Sequence, residues 1–183
     1  MKNKIICAIT GKNIDDIGNG RSETYYKNIE IKEAIAKNVM KLIEGGVTDF
    51  ICNAEYGFPL WACEIITSLQ VIRIQQGYQA PRLHIVMPFE EQAAKWSDDI
   101  HERFCDVIEC ADEVKELQKS FSDKCYENCE RFMVDKCDFL FTDDENDFAA
   151  QYANLHKKPV VICEVVEIFE GFDITDIFQD VIE

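Results

Sequence analysis

The residues best suited to chemistry lie between Phe50 and Glu64, in the run FICNAEYGFPLWACE. An apolar strand, Phe50–Cys52, precedes a turn of small residues, Asn53–Gly57, and a helix opens at Pro59. Such a unit brings backbone N–H groups and a helix N-terminus together at the carboxyl edge of a parallel sheet. The pattern predicts a ligand site on this turn, and an ordinary strand-to-helix turn is the alternative.

Two carboxylates near this turn are candidates for a general acid or base. Glu55 lies within the turn, and Glu64 lies one to two turns into the following helix. A carboxylate at this place competes with an anionic ligand but can bind ribose hydroxyls. The alternative for Glu64 is an exposed helical acid. The three histidines form no Ser-His-Asp or Cys-His pattern, which argues against covalent catalysis.

Two further groups of residues follow predicted strands. Thr10 and Gly11 could bind a phosphate through backbone N–H groups. Phe89, Gln92 and Trp96 recur at i, i+3 and i+7, so they share one face of a predicted helix. An amide on such a face must find hydrogen-bond partners and could read the polar edge of a ligand. The sequence has neither GxGxxG nor a Walker loop, which argues against ordinary dinucleotide or ATP binding.

These residues must be positioned by an alternation of strands and helices. The pattern predicts strands at Ile5–Ile9, Asp49–Cys52, Leu83–Met87, Glu113–Leu117, Asp138–Phe141 and Pro159–Cys163. It predicts helices at Ile29–Glu44, Pro59–Gln76, Glu90–Asp106, Asp123–Lys136 and Asp147–Leu155. The stretch Lys12–Tyr26 is predicted to be a long loop. The fold class is therefore α/β, a Rossmann-like open, mostly parallel sheet with helices on both faces.

The 183 residues are predicted to form one domain, with a core at about 4–163 and an acidic C-terminal tail at 164–183 that could hold another short helix. A net charge of −16 makes nucleic acid an unlikely partner. No segment is long and apolar enough for a membrane span or a signal peptide, so we expect a cytoplasmic protein. Homodimerisation through apolar helix faces is possible.

Nine cysteines without a CxxC pair fit reduced, core-packed thiols. The pair Cys125 and Cys129 has helical i, i+4 spacing, but no histidine lies nearby. We therefore predict no metal site and no resident cofactor.

Four motifs, in order along the chain, resemble the YpsA-like family of the SLOG superfamily. They are ITG after the first strand, GxxLWAxE after the second, PFxxQxxxW after the third and MVDxxD before the fifth. The resemblance spans roughly Ile5 to Cys163. It implies a Rossmann-like domain of bacterial origin that binds a nucleotide or nucleotide-derived ligand at the turn after the second strand.

Several positions depart from the family pattern. The family turn is usually S-G-G-A-x-G-x-D, and of its glycines only Gly57 is present, with Asn53 and Ala54 in place of the pair. The usual Arg-Asn before MVD is replaced by Cys129-Glu130. The glycine-rich loop after the fifth strand is replaced by the acidic run 142–146. The PGGxGTxxE motif of LOG-type hydrolases is absent.

The leading hypothesis is a binding or sensor module for a nucleotide-derived ligand. In it Gly11 and Gly57 provide backbone approach, Asn53 and Gln92 provide polar recognition, and Phe89 forms an apolar wall. The complete predicted binding set is Thr10, Gly11, Asn53, Ala54, Glu55, Gly57, Phe89 and Gln92. One alternative is a nucleotide or nucleoside hydrolase that uses Glu55 or Glu64. The other is a module with a degenerate pocket that binds a protein partner.

Overall fold

The computed structural model describes residues 4–18 and 25–164. Strands and helices alternate along these ranges. The strands are β1 (Ile6–Ile9), β2 (Asp49–Cys52), β3 (Arg82–Met87), β4 (Glu113–Glu116), β5 (Phe139–Thr142) and β6 (Val160–Ile162). The helices are α1 (Ile14–Ile17), α2 (Tyr26–Glu44), α3 (Phe58–Gln75), α4 (Asp98–Cys110), α5 (Cys125–Lys136) and α6 (Phe148–Leu155).

The strands form one sheet in the order β4-β3-β2-β1-β5-β6, and every neighbouring pair is parallel. The predicted Rossmann-like α/β fold is therefore confirmed. Strand β1 lies between β2 and β5, with Cys7 opposite Phe50 and Phe139. The strand order reverses at this point, and open α/β sheets bind ligands beside such a reversal.

Two hydrophobic cores cover the two faces of the sheet. Helices α2, α3 and α4 enclose the larger core, which contains Cys7 and Ile9 of β1. Helices α5 and α6 enclose the smaller one, which contains Ala8 of the same strand. Successive side chains of a strand point to opposite faces, so β1 is buried on both sides. Such burial fixes the position, along the strand direction, of the loop that follows each central strand.

Two predicted segments differ most from the structure. The residues after β3 form turns, and α4 begins only at Asp98, because Ser97 has the extended backbone of an N-cap and two acids fill the first turn. The helix predicted from Glu90 is therefore wrong in its first two turns. The predicted loop Lys12–Tyr26 contains α1, which Asn13 caps by accepting bonds from Asp15 N and Asp16 N. Positions 19–24 of that loop, and the predicted tail helix beyond Glu164, lie outside the described residues.

All nine cysteines are free thiols, and seven of them are buried. Cys129 Sγ donates to the Val86 carbonyl oxygen at 3.1 Å, which ties α5 to β3. Burial raises the pKa of the Cys7 and Cys63 thiols. These groups stay protonated and pack as small apolar side chains. In the described part of the chain, no helix is both long and apolar enough to cross a membrane.

A buried carboxylate organises the amino edge of the sheet. Asp49, at the start of β2, is 1% exposed and contacts the side chains of one histidine, one arginine and one lysine. His84 Nε2 lies 2.6 Å, Arg82 Nη2 2.8 Å and Lys4 Nζ 3.2 Å from Asp49 Oδ1. Burial acts to raise the Asp49 pKa, but hydrogen bonds from His84, Thr48 and Lys4 outweigh it and lower the pKa to about 2.

We expect Asp49 to make the protein acid-sensitive. Since its folded pKa lies below its ordinary value of 3.8, the stabilisation is present above about pH 4 and disappears as the pH falls through 2. The shift corresponds to about 2 kcal/mol of unfolding free energy. Urea unfolding at pH 7 should show a loss of about that size for Asp49→Asn, and none for Asp106→Asn on the exposed side of α4. Equal stability of the two variants would contradict the role given to Asp49.

Candidate functional site

The turn after β2 is locked to the loop after β1. Ile14 N donates to the Tyr56 carbonyl oxygen at 2.8 Å, and Phe58 N donates to that of Lys12 at 3.0 Å. A Cβ on Gly57 would lie 2.6 Å from the Lys12 carbonyl oxygen and 2.7 Å from Ile14 N. Gly57 therefore accommodates the protein's own backbone at the place where the sequence suggested the approach of a ligand.

Thr10 and Gly11 are similarly enclosed, at the junction of β1 and β5. The Thr10 hydroxyl donates to Asp147 Oδ2 at 3.2 Å, and the Thr142 hydroxyl donates to the same oxygen. A Cβ on Gly11 would collide with Asp143 Oδ1 and with the Phe58 ring. These two residues therefore join the ends of adjacent strands.

Two residues of the turn, Asn53 and Ala54, form a buried group with Gln92. Gln92 Nε2 donates to the Asn53 carbonyl oxygen at 2.9 Å, and Asn53 Oδ1 accepts from Glu55 N at 3.0 Å. Ala54 has a left-handed backbone, with φ +51°, and is fully buried. Gln92 Oε1 is buried without a hydrogen-bond partner in the described ranges. The structure thus brings together the predicted pair Asn53 and Gln92, and their bond fixes the turn that presents Glu55.

Phe89 is directed toward α5. Its ring meets those of Phe121 and Tyr126 edge to face, with centroids 5.6 Å and 6.1 Å away. Phe89 therefore belongs to an aromatic cluster on the α5 side of the edge, and it is separate from the residues that line the cleft described next.

A cleft of about 450 Å³ opens at the carboxyl edge, between the β1 loop, the β2 turn and the start of α4. Its volume lies in the range of small-molecule sites. Among the predicted binding residues, Glu55 lines it. Among the residues that the structure describes, the lining consists of Asn13, Ile14, Asp15, Glu55, Tyr56, Lys95, Trp96, Ser97, Asp99 and Ile100. The Tyr56 and Trp96 rings, 6.2 Å apart, form an aromatic wall opposite polar groups of the loop.

Glu55 is the chemically distinctive residue of this cleft. Burial raises its pKa to about 7, the nearby Asp16 carboxylate adds to the shift, and the Asn53 hydrogen bond opposes it. A carboxyl group with such a pKa exists in both protonation states near neutral pH. It can therefore donate or accept a hydrogen bond, and it can transfer a proton.

A second perturbed carboxyl lies next to this site on α5. Burial raises the pKa of Glu130 to about 8, and the charges of Asp147, Glu55 and Glu127 add to the shift. Burial and the Glu55 charge also raise the pKa of the Tyr126 hydroxyl. The carboxyl edge is thus acidic and poorly suited to a phosphate at Glu55.

Glu64 has a different environment. Its two carboxylate oxygens accept from Arg103 Nε at 2.6 Å and from Arg103 Nη2 at 2.7 Å. This bidentate pair joins α3 to α4, and Glu64 is not among the residues that line the cleft. The geometry gives Glu64 a structural role, although the sequence offered it as a second acid or base.

Among the residues that the sequence prediction did not assign to the site, Tyr56, Trp96 and Glu130 are the most informative. Tyr56 lies inside the turn that was singled out, and Trp96 belongs to the PFxxQxxxW motif, so both signals were present. Glu130 was noted as a departure from the family pattern but was not placed in the site. Its location depends on which face of α5 meets the β2 turn, and the sequence does not specify that contact.

Comparisons with known proteins agree with this architecture. The family model described as the YspA SLOG family matches residues 7–159. A UPF0398 protein of Halalkalibacterium halodurans is 30% identical over 118 residues, which cover 62% of this chain and 57% of the relative. A UPF0398 protein of Staphylococcus epidermidis is 25% identical over 167 residues, 86% of this chain and 82% of the relative. Because the family match takes in most of the sequence and of the described sheet, the chain belongs to the YspA SLOG family.

Proposed function

We propose that this protein binds a nucleotide-derived small molecule, as a binding or sensor module, in the cleft that Glu55 lines. The observation that carries the proposal is the cleft itself. It lies at the carboxyl ends of parallel strands, has about 450 Å³ of space, and places a titratable carboxyl beside an aromatic wall. A cytoplasmic location would agree with the nine free thiols.

The charges around the cleft favour the nucleoside part of such a ligand over its phosphates. Glu55, Asp15 and Asp99 line the cleft, and Lys95 is the one lysine or arginine among its described lining residues. Carboxylates accept hydrogen bonds from ribose hydroxyls and from exocyclic amines, whereas they repel phosphate oxygens. Trp96 provides a partly exposed ring against which a base can stack. We therefore expect nucleosides to bind more tightly than the corresponding triphosphates.

A thermal-shift series with adenosine, AMP, ATP, cyclic dinucleotides and ADP-ribose tests this proposal. A ligand at about 100 times its Kd should stabilise the protein by about 2.7 kcal/mol. Glu55→Gln should weaken the apparent affinity for nucleosides at least tenfold. Glu109→Gln, which changes an exposed residue on α4, should leave that affinity unchanged. Absence of any shift, or an equal shift in the Glu55→Gln protein, would contradict the proposal.

A second candidate function is nucleoside or nucleotide hydrolysis, and the Glu55 pKa of about 7 favours it. A protonated Glu55 could deliver a proton to the departing base while water adds to the anomeric carbon of the ribose. This reaction breaks one C–N bond and forms one C–O bond, and the proton that the water loses passes to solvent, from which Glu55 is protonated again. It requires release of free base by the wild type, with loss of that release in Glu55→Gln even at nucleoside concentrations that saturate the variant. Binding without release of base would leave the sensor function.

A further inference from the structure

Strand β6 is an edge strand whose α2-side face is incompletely covered. Its residues Val160, Val161 and Ile162 are all partly exposed. Helix α6 packs on β6 from the face of the smaller core, where Val160 lies. On the other face, Val161 and the neighbouring Phe139 of β5 pack only partly against the larger core. Natural proteins cover or pair such edges because unpaired strands invite association.

Helix α2 borders this face and gives it the form of a groove. Asn38 Nδ2 lies 3.8 Å from Cys163 Sγ, so the side of α2 that carries Asn38 faces the end of β6. A cavity of about 170 Å³ adjoins this contact, and its wall combines the apolar Ile17, Ile31, Phe58 and Cys163 with the charged Lys12 and Asp143. The groove between α2 and β6 is therefore apolar at Phe139 and Val161, carries the two charged side chains at its Cys163 end, and lies beside Glu164, where the described chain stops.

The sequence that follows this point has the composition required to fill the groove. Residues 165–183 contain ten apolar and six acidic residues and no basic residue. In the second half of this segment the apolar residues recur at i, i+3, i+4 and i+7, namely Ile174, Ile177, Phe178 and Val181. The acids Asp173, Asp176, Asp180 and Glu183 alternate with them at helical spacing. Such a pattern is typical of a helix with one apolar face.

We propose that residues 165–183 dock in cis on the groove formed by α2, Phe139 and Val161, with Phe178 and its apolar neighbours against the sheet. Three observations support this occupant: the segment follows β6 directly, it has an apolar face of helical period, and the sheet face at Phe139 and Val161 is apolar and only partly buried. A tethered segment acts at a high effective concentration, so modest contacts suffice to hold it.

Photo-crosslinking of the full chain tests this proposal. The photoreactive residue p-benzoylphenylalanine replaces Asn38 on the groove side of α2, or Met40, an exposed residue on the outer side of the same helix. Irradiation of the Asn38 variant should give crosslinks to peptides from 165–183 in the monomer band, and the Met40 variant should give none. Melting curves of both variants establish that they are folded.

Two substitutions then test the apolar face. Phe178→Asp should lower the crosslink yield at least tenfold, whereas Gln179→Asp, which adds the same charge at the next position, should retain it. A crosslink found in a covalent dimer would overturn the proposal in favour of a second copy on this edge. Crosslinks that avoid 165–183, or an equal yield with both substitutions, would also overturn it.

Discussion

The Gly57→Ala protein is expected to lose more than about 3 kcal/mol of its unfolding free energy, enough to unfold many domains. The added Cβ would lie 2.6–2.7 Å from atoms of the Lys12, Asn13 and Ile14 backbone. These atoms cannot rotate away as the end of a flexible side chain could, because Ile14 N and the Lys12 carbonyl oxygen are hydrogen-bonded to the same turn. The residue also has φ +134°, which an L side chain rarely adopts.

The matched control Gly77→Ala separates the cost of steric crowding from the cost of the backbone conformation. Gly77 has φ +76° with nothing within 4 Å of its Cβ position, so Gly77→Ala should cost only the left-handed backbone penalty, about 1 kcal/mol. Denaturant unfolding of both variants measures the difference. If the two lost the same stability, the contact between the β1 loop and the β2 turn would not be the reason for a glycine at position 57.

The second large effect is a loss of stability as the pH rises from about 4.5 to 8. Glu55 and Glu130 have folded pKa values of about 7 and 8, both above the ordinary value of 4.5. A raised folded pKa means that the folded state resists ionisation. Stability is therefore full below about pH 4.5, declines between pH 4.5 and the folded pKa of each group, and levels off above it. The Glu55 shift alone corresponds to about 3 kcal/mol. The protein should therefore have a higher Tm at pH 5.5 than at pH 8.5.

The double variant Glu55→Gln, Glu130→Gln identifies the groups responsible. It should raise the Tm at pH 8.5 and flatten the profile between pH 5.5 and 8.5, because neither glutamine can ionise. Asp16 and Asp147, the nearest acidic neighbours of the two glutamates, remain in place. Glu109→Gln serves as the control and should follow the wild-type profile. A double variant with the wild-type slope would show that the two carboxyls are not the source.

The sequence was sufficient to predict the alternation of elements, since buried parallel strands such as Asp49–Cys52 are short apolar runs between helical patterns. The sequence failed to predict the start of α4, where the apolar spacing and the cap residues indicate different boundaries. Phe89, Gln92 and Trp96 have helical spacing, yet Ser97 with its following acids starts the helix later. The cap residues set the start of α4. The helix-like spacing of Phe89, Gln92 and Trp96 belongs to turns, which place these side chains differently from a helix.

The site could be predicted only in part because its closure depends on contacts distant in sequence. The turn Asn53–Gly57 was evident, and Glu55 is the residue that it presents to the cleft. No local pattern shows that the β1 loop occupies the space above Gly57, or that Arg103 binds Glu64. Both facts follow from how α3 packs on its neighbours.

Tryptophan fluorescence tests the central claim most directly. The chain has two tryptophans, and Trp61 is fully buried whereas Trp96 lines the cleft. A nucleoside that binds beside Glu55 should change the emission saturably, with loss of the change in Trp96→Phe and at least tenfold weaker binding in Glu55→Gln. Binding that leaves the Trp96 emission unaltered and is insensitive to Glu55→Gln would contradict the claim that this cleft is the functional site.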